Sequence, residues 1–113
     1  MEPRIATIEI ACRDGDGEIP QRVVAGVYRY VAVHKAPNSL VDEHRTLTHV
    51  ATGRAIETGL HRSVAIAIAE RIGSMEIWGF QTLAEFDQRK AELKRSYEAA
   101  LKQATQPQRK GGR

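Results

Sequence analysis

Apolar and polar residues alternate along 5–12, with Ala6, Ile8, Ile10 and Cys12 on one face and Ile5, Thr7 and Glu9 on the other. That period of two predicts a half-buried strand. A stretch rich in Gly and Asp over 13–20 predicts a turn region. Residues 21–35 form a second β-rich run, long for one strand, in which Gly26 marks a bulge or break. Within it Val27, Arg29, Val31 and Val33 share one face, and Tyr28, Tyr30, Ala32 and His34 share the other. Pro37-Asn38 places a loop over 36–43. Two further β-compatible runs, 45–51 and 54–58, flank Thr52-Gly53, where glycine supplies the positive φ of a tight hairpin. Pairing outward from a two-residue turn sets Val50 against Ala55, His49 against Ile56, Thr48 against Glu57 and Leu47 against Thr58.

The periodicity then changes. Val64, Ile66 and Ile68 alternate with alanines, but Ala is the best helix former and is depleted in strands, so 63–72 reads as a helix. Val64, Ala65, Ile68, Ala69 and Ile72 fall on one stripe, with Ser63 as the cap candidate and 71–73 as the helix end. The stripe is expected to lie across Val31, Val33, Leu47 and Ile56. Residues 74–81 read as a loop whose Ile77, Trp78 and Phe80 plug the edge of the core. Thr82 and Glu85 make a capping box that starts a second helix, running to about Ala104. Phe86, Leu93 and Ala100 repeat along one seam of it, as do Lys90, Tyr97 and Ala104. A lysine in so short a seam argues against a coiled coil, although the helix over 82–104 offers a homodimer surface. Residues 105–113 carry no apolar side chain and read as a flexible tail.

The expected fold is therefore α+β: a four-stranded antiparallel sheet (β-β-β-β) followed by two helices and a disordered basic C-terminal tail. One domain spans 1–104 and the tail spans 105–113, in keeping with a chain of 113 residues. The single Cys12 cannot close an internal disulfide, which favours a reducing compartment, and the cytoplasm is the expected location. No apolar stretch approaches the ~20 residues of a membrane helix, so no membrane partner is expected. The net charge of +3 is unevenly placed: residues 1–81 sum to −1 and residues 82–113 to +4. A basic appendage on a neutral body points to an acidic partner such as nucleic acid, or to no more than a solvated helix and a soluble tail.

Candidate chemistry is sparse. Asp14, Asp16 and Glu18 interleaved with glycines have the look of part of a calcium loop, but the residues after Ile19 supply no closing glutamate, and a hairpin turn explains them better. His34, His44, His49 and His61 with Asp42, Glu43 and Cys12 have no recognised zinc spacing, and His49 reads as a satisfied histidine at the core edge. Cys12 with His34 is a conceivable nucleophile and base, though an inert thiol is the simpler reading. No Gly-x-Ser-x-Gly, Walker-type loop or Gly-x-Gly-x-x-Gly is present, so no catalytic, metal or cofactor residue is assigned and no enzyme activity is expected.

A sheet face bearing Tyr28, Tyr30 and His34 beside Thr46, Thr48 and Glu57 would stack bases if it were not covered by the last helix. The expected function is that of a small non-enzymatic accessory protein for nucleic acid. Its contact candidates are Tyr28, Tyr30, Arg54, Lys90, Lys94 and Arg95, with Arg109, Lys110 and Arg113 as a flexible electrostatic arm. The alternative is a protein-binding module, an inhibitor or adaptor, acting through the hairpin or the last helix. Over residues 28–72, the layout of strand, strand, tight hairpin and Ala-rich helix resembles the three-stranded DNA-binding modules of AP2 domains and integrase arms. The likeness is one of pattern: the AP2 tryptophans and glycine-arginine motifs are absent, and it implies no individual residue's role.

Overall fold

The computed structural model describes residues 3–14, 17–35 and 42–106. It is α+β, with five antiparallel strands followed by two helices: β1 (Arg4–Asp14), β2 (Gly17–Tyr28), β3 (Val31–His34), β4 (His44–His49), β5 (Ala55–His61), α1 (Arg62–Ile72) and α2 (Leu83–Thr105). A single 3₁₀ turn, Glu76–Trp78, sits between the helices. The sheet is a meander in the order β1-β2-β3-β4-β5, so every strand pairs with its neighbour in sequence.

The expected second strand is two strands. The chain reverses at Arg29-Tyr30, where Tyr28 pairs with Val31, while Gly26, expected to mark a bulge or break, pairs in regular register with Ile5 and Val33. Arg29 takes φ 63°, a left-handed conformation uncommon outside glycine. Three contacts hold it there: Tyr30 N–H donates to Gly73 O at 3.1 Å, Val50 N–H donates to Tyr30 O at 3.0 Å, and Arg29 pairs with Glu76 at 3.0 Å. The strands on either side of the first turn are also longer than expected, since ladder pairing continues to Asp14 and Gly17.

Helix α1 lies on β3, β4 and β5, as the stripe predicts. Ala65, Ile68, Ala69 and Ile72 are buried against Val31, Val33 and Leu47, with Ile56 and Val64 partly buried beside them. Its N-cap is His61 rather than Ser63, the imidazole accepting from Ser63 N–H. Gly73 ends the helix in the right-handed conformation, φ −60°, where a tight approach to β2 calls for glycine. Thr82 caps α2 as expected, accepting from Glu85 N–H at 3.2 Å, while the Glu85 carboxylate accepts from Gln81 N–H at 3.1 Å. Leu93 and Ala100 carry the buried seam of α2, which packs on α1 within the same chain. Trp78 and Phe80 are buried as predicted, each 2% exposed.

The opposite face of the sheet has its own apolar cluster, Ile8, Ile10, Ala25, Val27 and Ala32, with Val50 packed against it. Beside it His34, Thr46 and Thr48 are buried. His34 Nδ1–H donates to Lys35 O and Nε2 accepts from Thr48 Oγ1, so the ring is satisfied as the neutral species.

The turn between β4 and β5 contains Gly53 at φ 72°, as its glycine predicts, but it is a four-residue loop over 50–53 closed by His49 N–H to Arg54 O. The two-residue register is corrected accordingly: Thr48 pairs with Ala55 and Leu47 with Glu57. Two irregularities lie along the β4–β5 ladder, one of them next to Gly59 at φ 69°. Below them, Arg45–Leu60 and His44–His61 return to the line on which a two-residue turn would have placed them.

Candidate functional site

The expected polar-aromatic sheet face does not exist as one surface. Tyr28 stands on the helix-covered face, 4% exposed, beneath the end of α1 and not beneath the last helix. Its ring is closed to any base, and burial raises its hydroxyl pKa, with Glu70 adding to the effect. Tyr30 is half-buried in the β2–β3 turn, its hydroxyl donating to Glu76 at 3.0 Å and its ring face taken by the Arg29 guanidinium at 4.5 Å. His34, Thr46 and Thr48 lie on the other face, and Glu57 reaches out to α2. An alternating pattern read as one strand becomes two when the chain turns, which is why these side chains separate.

Three of the other contact candidates are brought together. Arg54 on the hairpin and Lys90 and Lys94 on α2 line a hollow of about 300 Å³ between the hairpin and that helix. Its apolar walls come from Ala55 and Ile56 of β5 and Leu83, Phe86 and Leu93 of α2, with Trp78 and Phe80 at the back. Leu83 is 48% exposed, and Ile56, Phe86 and Tyr97 are half-buried. No carboxylate is among the described residues that line it. Arg95 is exposed on α2 but lies outside the lining. Arg109, Lys110 and Arg113 lie outside the described residues, as do the side chain of Cys12 and the centre of the acidic turn. Within Leu83–Thr105 five cations face four carboxylates, so most of the basic excess belongs to the last residues of the chain.

His49 organises this hollow. Its ring stacks on Phe80, centroids 3.9 Å apart and planes within 10°. Nε2–H donates to Trp78 O at 2.9 Å, and Nδ1 therefore accepts from the Thr52 hydroxyl at 2.9 Å and from Thr52 N–H. Burial lowers its pKa, against a smaller opposing effect of the Trp78 carbonyl. One neutral side chain thus ties the hairpin loop to the segment behind the hollow. On the α2 side, Trp78 Nε1–H donates to Ser96, and Tyr97 O–H donates to Glu57 at 3.5 Å. Burial first, then the Glu57 charge, pushes the Tyr97 pKa up to about 12.

The lining joins residues from β4–β5, the Trp78 segment and α2. Only its cations stand out in the sequence; the helical spacing of Phe86, Lys90, Leu93, Lys94 and Tyr97 is visible there but reads as a packing seam with an exposed margin. Among the described residues, no group of three or more His, Cys, Asp or Glu side chains is placed to hold a metal ion. No helix among them is long and apolar enough to cross a membrane. Comparison with family models, curated proteins and solved structures finds no match for this chain.

Proposed function

We propose that this chain is a small non-enzymatic protein that binds nucleic acid through the hollow between the β4–β5 hairpin and α2. The observation that carries this reading is the convergence of Arg54, Lys90 and Lys94 on an aromatic-lined hollow whose described lining has no carboxylate. Cations beside apolar and aromatic side chains suit a polyanion whose bases leave its backbone. The sheet face has no part in the proposal, because Tyr28 is buried and Tyr30 is engaged. Arg95 and the terminal Arg109, Lys110 and Arg113 supply long-range attraction in this reading. A reducing, intracellular setting fits a chain with one cysteine.

The test is direct binding of DNA and RNA over a range of salt. Affinity is expected to fall steeply with salt. Replacing Lys90, Lys94 and Arg95 together by Gln is expected to flatten the log–log slope, by about one unit for each phosphate that is no longer neutralised. Deleting residues 105–113 is expected to act in the same direction on a folded protein. Absence of binding to any DNA or RNA at low salt would refute the reading. The exposed Leu83 beside Phe86 favours a second reading, a protein partner offering an acidic segment with apolar anchors. Binding of that kind would lose only its electrostatic share in salt and keep the share carried by the apolar anchors.

A further inference from the structure

The proposed site has a size and a polar inventory that narrow its ligand. We infer that the hollow receives one unpaired base of a single-stranded nucleic acid, with neighbouring phosphates met by Arg54 on the hairpin wall and by Lys90 and Lys94 on the α2 wall. This rests on the nucleic-acid reading above and goes further, to the form of the ligand and how it is held.

Size is the first argument. About 300 Å³ lies at the small end of ligand pockets, with room for a flat ring. A base inside a duplex presents its faces to its neighbours, so only an unstacked one can enter. The walls are the second. Phe86 and Tyr97 are half-buried, each with part of its ring still available, and Ile56 and Leu83 complete an apolar slot. Trp78 and Phe80 close the back of the slot and are too buried to act as open platforms. Charge placement is the third. Cations stand on both walls, so a strand crossing the slot meets positive charge before and after the inserted base.

The hydroxyls decide how the sugar is read. Thr52 donates its hydroxyl proton to His49 Nδ1 and accepts from Arg54 N–H, and the Tyr97 hydroxyl donates to Glu57. Both His49 nitrogens are engaged. The neutral polar side chains of the lining are thus engaged with the protein, and charged side chains and apolar surface make up the rest of the slot. With no neutral side chain left over to recognise a 2′-hydroxyl, DNA and RNA strands are expected to bind such a slot alike.

Trp78 is the chain's only tryptophan and lines the slot, so its emission reports entry of a base. The full chain is titrated with oligothymidylate, oligouridylate, a duplex and an abasic deoxyribose-phosphate strand, all of one length. Both single strands are expected to bind within a few-fold of each other and to change Trp78 emission. The abasic strand and the duplex are expected to bind at least about tenfold more weakly, the contribution of one base against aromatic surface, and to leave the emission unchanged. Ala55→Phe, which fills the slot from β5 without altering a charge, is expected to bring oligothymidylate down to the abasic level. An abasic strand or a duplex that binds as tightly as oligothymidylate would overturn base insertion while leaving the charged-rim reading standing. A tenfold preference for RNA would overturn the sugar-blind slot. No binding by any of the four would overturn both readings, and the wild-type comparison of abasic with intact strand decides the matter whether or not Ala55→Phe folds.

Discussion

Replacing Gly73 by Ala sets two physical effects against each other. Gly73 has a right-handed helical backbone, φ −60°, so helix propensity alone favours alanine by about 1 kcal/mol. The structure opposes this. A Cβ at that position would press on Tyr28 O, stand 2.9 Å from Tyr28 Cβ and lie 2.5 Å from Ala69 O. Two of these are backbone atoms, so no side chain can swing aside, and the end of α1 must move off β2. Overpacking of this kind costs about 1–3 kcal/mol. The displacement also strains the bond from Tyr30 N–H to Gly73 O, 3.1 Å long and one of the contacts that hold the β2–β3 turn, adding about 1 kcal/mol. With propensity set against these, Gly73→Ala is expected to destabilise by roughly 1–3 kcal/mol, a Tm fall of about 4–8 °C for each kcal/mol in a domain of this size. Urea unfolding reads it as a lower midpoint at unchanged m value. A midpoint equal to or above that of the wild type would show that propensity governs the site and that the close approach of α1 to Tyr28 is wrong.

Gly53 sits at φ 72° in the hairpin loop, where a β-branched residue is strongly disfavoured; Gly53→Val is expected to cost at least about 1–2 kcal/mol, and an unchanged thermal midpoint would refute the loop geometry. Burial lowers the pKa of both His34 and His49, so below about pH 6.5 the unfolded chain takes up protons that the native state refuses. Their contribution is intact above that pH and declines as the pH falls toward the native values, by at most about 1.4 kcal/mol per pH unit for each ring. Urea midpoints measured from neutral to mildly acidic pH check this, and a flat profile would contradict the neutral, doubly bonded rings.

Sequence reasoning reaches the elements whose signals are local. The Thr82/Glu85 box, the α1 stripe, the α2 seam and the burial of Trp78 and Phe80 each depend on residues a few positions apart. It misses the fifth strand because Arg29-Tyr30 carries none of the usual turn chemistry; the reversal is imposed by Gly73, Glu76 and Val50, all distant in sequence. With that turn hidden, the alternating pattern assigns Tyr28 to an open face when it belongs to the core. His61 as a cap is hidden for a similar reason, since an imidazole accepts a backbone N–H only when its tautomer suits. The hollow is legible only in its cations, because its walls come from three segments that tertiary packing alone brings together.

The neighbour-to-neighbour order of the sheet has a kinetic consequence. No strand waits for a distant partner, so each hairpin can close while the next is still unformed, and the entropy spent on closing loops stays small. The long β1–β2 ribbon lies at one end of this order, and its principal contacts are within itself and with β3 rather than with the helices. It can therefore zip early and fray early, as a cooperative unit of its own. The sheet under α1 is different: its amides open only when the helices leave. Native-state hydrogen exchange would then divide one continuous sheet into two stabilities, with the boundary near Tyr28, where the chain passes from the free ribbon to the part that carries the slot.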